Sequence, residues 1–301
     1  MANGLVVVFG AAGHVGGVIA DRLLKAGRRV RVGGRSVGRL EALARRGAEA
    51  VAADVSDGAA IRRALEGAEA AFVLSPPPGV TTGIRALQDR VAQLIGDGLE
   101  AARVPFAVAL SSIGAELSQG NGPIAGLHVL EERLRRIAGL RTLSLRAGYF
   151  FENTLGSIAM IKATGAMGGP IRPDLPVACI ASRDIGEAAA SRLQALDWQG
   201  FEALELQGER HLTQTEVASA LGRAIGKPDL TYRAFPYPDA EKGMIQAGLP
   251  PELAALYVEM ARGFNEGRLR PLQPRSASTT TATSIESWAA EVFAPAYRHE
   301  G

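Results

Sequence analysis

Short apolar runs alternate along the chain with segments whose apolar residues recur at helical spacing. The first run, 5–9, is β-branched and aromatic throughout, as in parallel strands that are buried on both faces. After a glycine loop, the apolar residues recur at helical spacing up to Gly27, and the segment 29–32 is typical of a second strand. The chain therefore opens with a strand, a loop, a helix and a strand.

The same alternation continues to about residue 145. Further strands are predicted at 48–53, 70–74, 105–110 and 142–145, and further helices at 40–46, 58–66 and about 83–102. This succession predicts an α/β protein with a doubly wound parallel sheet, the Rossmann fold. Ligands of such sheets bind beyond the carboxyl ends of the strands, so the residues at those ends are the first candidates for a site.

The second half of the chain is less regular. Segments 176–180 and 202–206 are predicted to be later strands of the same sheet. Two capping boxes, Thr213–Glu216 and Thr283–Glu286, predict the starts of helices, and the first of these helices is expected to stop at 226–228.

Two regions with different tasks are expected from this organisation. Residues 1–152 are predicted to form a dinucleotide-binding Rossmann domain, rejoined by about 177–231. Residues 153–301 are predicted to form mainly a smaller, substrate-capping portion, because aromatic, Met and Pro residues are interleaved with its helical segments.

The loop between the first strand and helix has a spacing of glycines typical of dinucleotide-binding proteins. Gly10 can make the tight turn, Gly13 lets the backbone approach a pyrophosphate, and Gly16 lets the helix pack close to the strand. The helix N-terminus offers free N–H groups and a partial positive charge to the anion. The strand–loop–helix context makes this pattern informative. The predicted cofactor contacts here are Gly10, Ala12, Gly13, His14, Val15 and Gly16.

The end of the second strand indicates which dinucleotide is bound. An acidic residue there would hold the ribose 2′-hydroxyl of NAD, whereas an arginine accommodates the 2′-phosphate of NADP. The chain has Arg35 and Ser36 at this point and no acid, so NADP (NADPH) is the expected cofactor. The alternative is that Arg35 is a solvated surface arginine.

The remaining strand ends supply further candidate cofactor contacts. These are Asp54, Val55, Leu74, Ser75, Pro76, Ser111 and Ser112. Asp54 can hydrogen-bond the adenine amino group or serve equally as a capping or turn carboxylate. The run Pro76–Pro78 fixes a stiff turn that is incompatible with a helix, where the riboses would pass.

Composition narrows the class of protein. The chain has 301 residues, of which 47% are hydrophobic and 21% charged, as in soluble globular proteins. A net charge of +2 is too small to indicate nucleic-acid binding. Cys179 is the only cysteine, so an internal disulfide and a Cys-rich metal site are excluded, and no metal is expected.

No apolar run approaches the ~20 residues of a membrane span, and residues 1–4 lead straight into the first strand without a signal segment. We expect a cytoplasmic monomer or homodimer that acts on a small molecule.

Several motifs together resemble the NmrA-like branch of the atypical short-chain dehydrogenases/reductases over nearly the whole chain. They are Gly10–Gly16, Gly34-Arg35, Ser111–Ala115, the helix with His128 and Glu131, Leu145–Phe150 with Asn153, Asp184–Gly186 and the segment 212–228. Ala147 stands where the family has proline in Arg-Pro-Gly. The resemblance implies either a reductase of quinones, azo dyes or phenylpropanoids, or a regulator that binds NADP without turning it over.

The catalytic pair of ordinary short-chain dehydrogenases is absent. Those enzymes place Tyr-x-x-x-Lys on one helix face, and the lysine lowers the pKa of the tyrosine. Aligning the helix on His128 puts Ile124 at the tyrosine position and His128 at the lysine position. Positions 124, 128 and 131 share one face. Histidine has an ordinary pKa of about 6.5, which suits proton donation, so His128 is the candidate catalytic residue, with a positioning role as the alternative. His128 is also a predicted cofactor contact.

Hydride transfer to some acceptors does not need that pair. A reduced quinone is a phenoxide-like anion that water can protonate, so the protein need only hold nicotinamide and acceptor together. We therefore expect an NADPH-dependent oxidoreductase with a quinone-like or other conjugated acceptor. A regulator that senses NADP(H) is the alternative, and an isomerase or epimerase with bound NADP is a third. Tyr149 and Phe150 are expected to contact both cofactor and acceptor, and the other predicted substrate contacts are Phe151, Asn153, Met160, Tyr237 and Met244.

Overall fold

The computed structural model describes residues 4–76, 79 and 82–299. The chain folds into two compact units. The first unit comprises Met1–Ser118, Ile124–Arg146 and Ile185–Leu204, and the second comprises Gln119–Pro123, Ala147–Asp184 and Glu205–Gly301. The chain thus changes unit after residues 118, 123, 146, 184 and 204, whereas the boundaries expected from the sequence are 152, about 177 and about 231. The division of tasks between a cofactor domain and a capping portion stays a prediction.

The first unit carries most of the central sheet and its helices. Its strands are β1 Leu5–Phe9, β2 Arg29–Gly34, β3 Glu49–Ala52, β4 Ala68–Leu74, β5 Phe106–Ser112 and β6 Arg141–Ala147. Its helices are α1 His14–Lys25, α2 Glu41–Ala44, α3 Gly58–Leu65, α4 Ile84–Ala101 and α5 Ala125–Arg135, with a 3-10 turn at Val37–Leu40 before α2. Helix α7 Ser182–Ala195 and strand β10 Phe201–Leu206 each have residues in both units, and the last residue of β6, Ala147, belongs to the second unit.

The second unit is built from short strands and helices. The strands are β7 Tyr149–Phe150, β8 Ala166–Gly169, β9 Val177–Ile180, β11 His211–Leu212 and β12 Thr231–Ala234. The helices are α6 Ile158–Thr164, α8 Gln214–Ala224, α9 Tyr237–Gln246, α10 Pro251–Asn265, α11 Ile285–Trp288 and α12 Ala294–His299. None of the helices formed by the described residues has the length and apolar character needed to cross a membrane.

The central sheet has seven strands in the order β10-β6-β5-β4-β1-β2-β3. Strand β1 pairs in parallel with both β2 and β4, and β5 pairs in parallel with β4. The predicted doubly wound sheet is confirmed. Val6, Val7 and Val8 are fully buried at its centre, which explains the uninterrupted apolar run in the sequence. The strand order reverses between β1 and β4, and ligands of such sheets bind beyond this switch point.

One predicted strand belongs to a different sheet. The segment 177–180 forms β9, which pairs with β7 in parallel and with β11 in antiparallel orientation in a separate three-stranded sheet. Its assignment to the central sheet was therefore wrong, since an apolar run does not reveal which strand it will pair with. The other late strand, β10, does lie at the edge of the central sheet.

The two predicted capping boxes have different outcomes. At Thr213 the hydroxyl accepts from the N–H of Glu216 and the Glu216 carboxylate accepts from the N–H of Thr213, so the first box is confirmed. The second helix begins one residue later than predicted, with Ser284 as its cap. Thr283 donates its hydroxyl and its N–H to the carboxylate of Asp184 instead, at 2.6 and 3.1 Å. Thr283 thus hydrogen-bonds to a carboxylate distant in the sequence and does not cap the helix.

Candidate functional site

The glycine loop leaves the start of α1 open to an anion. Gly10 has a φ of +66°, and its carbonyl accepts a 2.9 Å hydrogen bond from the N–H of Gly13. Gly13 is the N-cap residue of α1, and no side chain of the described residues caps this end of the helix. The N–H groups of the first helical turn have no partner within the helix. The geometry therefore suits a bound phosphate, whose charge is also favoured by the helix dipole.

The three glycines of the loop are required for different reasons. A Cβ at Gly10 would lie 2.8 Å from the Leu74 side chain, and one at Gly16 would lie 2.5 Å from the Gly10 carbonyl oxygen. A Cβ at Gly13 would approach only the Gly10 oxygen among the described atoms, at 3.3 Å. Close packing therefore requires glycine at positions 10 and 16, whereas a Cβ at Gly13 would meet one backbone oxygen and no other described atom within 4 Å. Ala12, Gly13 and His14 are exposed, and Val15 is buried.

The residues after β2 fit a negatively charged ligand. Arg35 and Ser36 follow the last residue of the strand, Gly34, and both are exposed. The Arg35 guanidinium forms no hydrogen bond or ion pair with the part of the chain that the structure describes. It is therefore available to an external anion such as a 2′-phosphate.

Asp54 has a local role at the end of β3. Its Oδ1 accepts hydrogen bonds from the N–H and the hydroxyl of Ser56, both at 2.9 Å, which makes it a turn carboxylate. The helix cap is Asp57, whose Oδ1 accepts from the N–H groups of Ala59 and Ala60. The predicted contact of Asp54 with adenine remains a prediction.

The end of β4 faces the glycine loop. Leu74 packs over Gly10 so closely that a Cβ on this glycine would touch its side chain, and Ser75 is half-buried. Pro76 is exposed. Pro77 and Pro78 lie outside the described residues. The switch point thus brings Leu74 next to the glycine loop, and the cofactor contacts of Val55, Leu74, Ser75 and Pro76 stay predictions.

A buried charged network joins the ends of β5 and β6 to α5. The Glu131 carboxylate, 2% exposed, accepts hydrogen bonds from the hydroxyls of Ser111 and Ser144, both at 2.6 Å. Arg146 donates to it twice, from Nη2 at 2.7 Å and from Nε at 3.1 Å. Arg146 also donates from Nη1 to Glu116 at 3.1 Å. The Ser111 hydroxyl therefore donates its proton inside the protein, and the cofactor contact of Ser111 stays a prediction.

The network keeps Glu131 ionised. Burial alone would raise its pKa, but the hydrogen bonds from Arg146, Ser111 and Ser144 outweigh burial, so the pKa of Glu131 lies below its usual value. Sequence reasoning placed Glu131 on the face of His128 but gave it no role. Its partners lie 13 to 20 positions away in the sequence, so no local signal points to them.

His128 is held by the loop that follows β5. Its Nδ1 lies 2.9 Å from the carbonyl oxygen of Ala115. A carbonyl can only accept, so Nδ1 carries a hydrogen and the neutral ring has its lone pair on Nε2. Neutral His128 can therefore accept a hydrogen bond at Nε2 but cannot donate one there. Ile124, at the position of the missing tyrosine, is 7% exposed and directly precedes α5.

The second unit groups several of the predicted acceptor residues. Tyr149 lies in β7, and its ring meets the Phe264 ring edge-on with centroids 6.2 Å apart. Burial raises the pKa of Tyr149 to about 12, with a further increase from Cys179 and Tyr257, while the Asn153 side chain opposes the shift through a hydrogen bond. The structure thus brings Tyr149 and Asn153 together. Phe264 and Tyr257 were missed because a single aromatic residue on a helix does not show what it faces.

The other predicted acceptor residues have various surroundings. Phe151 is 3% exposed and packs on Trp288, with ring centroids 5.7 Å apart, so its observed role is core packing. The Tyr237 hydroxyl accepts a 2.8 Å hydrogen bond from the Asn265 side chain, which also donates to a carbonyl of the loop after β8. Phe150, Met160 and Met244 are half-buried. Their contacts with a substrate stay predictions.

The comparisons with known proteins identify the family. The model of the NmrA-like family matches residues 2–289 of this chain. The chain therefore belongs to the NmrA-like family, as the motifs of the sequence predicted.

Two curated relatives are reductases by name. A (4-alkanoyl-5-oxo-2,5-dihydrofuran-3-yl)methyl phosphate reductase of Streptomyces griseus subsp. griseus is 29% identical over 296 residues, which cover 97% of this chain and 100% of that protein. Quinone oxidoreductase 2 of Escherichia coli (strain K12) is 28% identical over 268 residues, which cover 88% of this chain and 90% of that protein.

Solved structures have the same architecture. The structure of an NADPH-dependent quinone oxidoreductase from Escherichia coli complexed with NADPH has a TM-score of 0.80 and 25% identity, and the match covers 96% of this chain and 99% of that one. The structure of Nmra, a negative transcriptional regulator in complex with NAD, has a TM-score of 0.78 at 18% identity and covers 100% and 98% of the two chains. At that identity the second likeness concerns the fold alone.

Proposed function

We propose that the protein is an NADPH-dependent oxidoreductase that transfers hydride to a quinone-like or other conjugated small-molecule acceptor. The observation that carries this proposal is the pair of anion sites at the carboxyl ends of β1 and β2. These are the start of α1 and the guanidinium of Arg35, neither of which has a side-chain partner among the described residues. The reductases among its relatives support the enzyme class and the cofactor.

The two phosphate parts of the cofactor each have a matching group in the first unit. The N–H groups at the start of α1 would hold the pyrophosphate, with Gly13 leaving room for its approach. Arg35 would pair with the 2′-phosphate. When bound, NADPH supplies the hydride, and the protein supplies binding, orientation and electrostatics.

His128 is assigned a positioning role in this proposal. Its neutral ring offers a lone pair at Nε2, because Nδ1 donates to Ala115, so it suits a hydroxyl that needs an acceptor. Direct proton donation from Nε2 requires the doubly protonated ring. The proton that completes a reduced quinone is therefore assigned to water.

The acceptor is proposed to bind in the second unit. Tyr149 and Tyr257, both half-buried, provide aromatic surface there, and Asn153 provides an amide. Aromatic surface with few polar groups suits a flat, conjugated molecule. A cytoplasmic location and a monomeric or homodimeric state remain predictions.

One assay tests the function. NADPH consumption is followed with a panel of quinones, azo dyes and enones, and each acceptor is also supplied with NADH. We expect turnover with at least one conjugated acceptor and a preference for NADPH. Tight NADPH binding without turnover of any acceptor would overturn the reductase proposal.

A second candidate is a regulator that binds NADP(H) and acts through a partner. The observation that favours it is the buried Ile124 at the position where ordinary short-chain dehydrogenases have their acid. Cofactor binding alone needs the glycine loop and Arg35 and no acid. The same panel separates the two functions, since a regulator would bind NADPH and leave it unoxidised.

A further inference from the structure

We propose that the Tyr149 hydroxyl donates a hydrogen bond to the acceptor oxygen on which negative charge develops during reduction. This inference rests on the proposed reductase function and adds to it the group that stabilises the developing charge. The residues that carry the argument all belong to the second unit.

The backbone that presents Tyr149 is firmly placed. The preceding residue, Gly148, lies so close to β9 that a Cβ there would be 2.5 Å from the Ala178 carbonyl oxygen. The N–H of Gly148 donates to the carbonyl of Leu206 at 2.9 Å, and Tyr149 itself pairs with Cys179 in β9. A group held by its surroundings loses little entropy when it binds a ligand, which is the property needed for stabilising charge.

The orientation of the ring is also constrained. The Tyr149 ring meets Phe264 of α10 edge-on, with an angle of 84° between the ring planes. Tyr232 and Tyr257 are close enough to interact electrostatically with it. The hydroxyl of Tyr149 is therefore fixed in an aromatic environment of low polarity, where a hydrogen bond to a charged oxygen is stronger than in water.

The hydroxyl proton has no acceptor within the described chain. Asn153 lies close enough to lower the pKa of Tyr149. The O–H of Tyr149 makes no hydrogen bond of normal geometry to the described residues and is available to a ligand. Tyr232 differs, because its hydroxyl donates to the carbonyl of Ile171 at 3.0 Å.

The environment suits a hydrogen-bond donor better than an acid. Burial raises the pKa of Tyr149 to about 12, so the group stays protonated over the working range of pH and gives up its proton reluctantly. It can stabilise negative charge without transferring the proton. The O–H bond stays intact, and water still supplies the proton that completes the reduced acceptor, in agreement with the absence of a tyrosine–lysine pair.

Two hydride acceptors that differ in charge distinguish a hydrogen bond from Tyr149 from a packing role of its ring. Menadione gains negative charge on oxygen as it is reduced, whereas malachite green is a cation that hydride converts into a neutral product. Tyr149→Phe removes the hydroxyl and keeps the ring against Phe264. We expect Tyr149→Phe to lower kcat for menadione roughly a hundredfold, the usual effect of losing one such donor, and to leave kcat for malachite green and the Kd of NADPH near their wild-type values.

Matched variants and a binding measurement complete the test. Tyr232→Phe is the matched control, because it removes a hydroxyl that already donates to the carbonyl of Ile171, and it should not show the selective loss. In the absence of any acceptor turnover, binding of para-nitrophenolate to the protein is the readout, and Tyr149→Phe should bind this anion more weakly than wild type. Equal losses for both acceptors, a selective loss in Tyr232→Phe of the same size, or unchanged para-nitrophenolate binding would each overturn the proposal. Failure of the reductase function alone would appear as no turnover together with the expected loss of para-nitrophenolate binding.

Discussion

Arg146 forms a two-pronged ion pair with Glu131, with Nη2 2.7 Å from Oε2 and Nε 3.1 Å from Oε1. The pair is buried and ties the end of β6 to α5, while Ser111 ties the end of β5 to the same carboxylate. These strand ends lie where a Rossmann sheet binds its ligand. The pair thus holds together the strand ends at which the cofactor is proposed to bind.

Glu131→Gln is expected to destabilise the protein by about 3 kcal/mol, because it leaves Arg146 buried without its main counter-charge. Urea unfolding of the two proteins measures the difference. Glu132→Gln, on the same helix but facing solvent, is the matched control and should change the free energy of unfolding little, since surface ion pairs contribute little. Equal stability of wild type and Glu131→Gln would mean that the network is not stabilising.

The same variant should remove part of the acid sensitivity. The pKa of Glu131 is lower in the folded than in the unfolded chain, so the unfolded chain takes up a proton first as the pH falls. The stabilisation is complete above the ordinary carboxyl pKa of 4.5 and is lost as the pH falls through the lower folded value. The stability difference between wild type and Glu131→Gln should therefore begin to shrink as the pH falls below 4.5. It should be lost once the pH lies below the pKa of Glu131 in the folded protein. A difference that stays constant would count against this assignment.

Arg35→Ala is expected to weaken NADPH binding roughly ten- to a hundredfold, the range for losing a hydrogen bond to a charged group. NADH binding should barely change, because NADH lacks the 2′-phosphate. Titrating both cofactors into both proteins measures this preference. Arg45→Ala, an exposed arginine on the first turn beyond α2, is a control of equal charge change. A similar loss of affinity for NADH and NADPH would mean that Arg35 does not bind the 2′-phosphate.

Gly13→Val is expected to abolish cofactor binding in a folded protein. The new side chain would occupy the open face of the loop, where a Cβ has only the Gly10 oxygen as a close neighbour among the described residues. Gly16→Val is the informative comparison, because a Cβ there would lie 2.5 Å from the Gly10 oxygen and the fold itself should be destabilised. Thermal unfolding and NADPH titration separate the two effects. Tight NADPH binding by folded Gly13→Val would show that the phosphate binds elsewhere.

His128→Ala is expected to retain measurable turnover of quinone acceptors. Its Nδ1–H donates to the carbonyl of Ala115, so the neutral ring has no hydrogen on Nε2 that it could transfer. General acid catalysis typically contributes 10²–10⁴-fold, and a loss below about tenfold would agree with positioning. A loss within the larger range at unchanged NADPH affinity would make His128 the proton donor.

The sequence predicts the first unit well because the controlling signals there are local. The run Leu5–Phe9, the glycines of the loop and the helical spacing up to Gly27 each fix one element within a few residues. Gly10 has the positive φ of a tight turn, as predicted, and a Cβ at Gly16 would lie 2.5 Å from the Gly10 oxygen, as expected for close packing of the helix. Family membership followed from the same local motifs and is confirmed.

The features that were missed depend on residues far apart in the sequence. The pairing of β9 with β7 and β11 was missed because all three are short and their partners are set by tertiary packing. The cap at Thr283 was lost to Asp184, 99 residues away. The partners of Glu131 and the environment of Tyr149 likewise arise only when strand ends and helices come together.

Hydride transfer from bound NADPH to a conjugated acceptor is tested most directly by an anaerobic single-turnover experiment. Protein loaded with NADPH is mixed with menadione, once with ordinary NADPH and once with NADPH that carries deuterium at the transferred position. The predicted result is stoichiometric loss of NADPH absorbance, slower with deuterium and absent in Gly13→Val. NADPH that stays bound and unoxidised with menadione and with every other acceptor of the panel would contradict the reductase function and leave a cofactor-sensing protein.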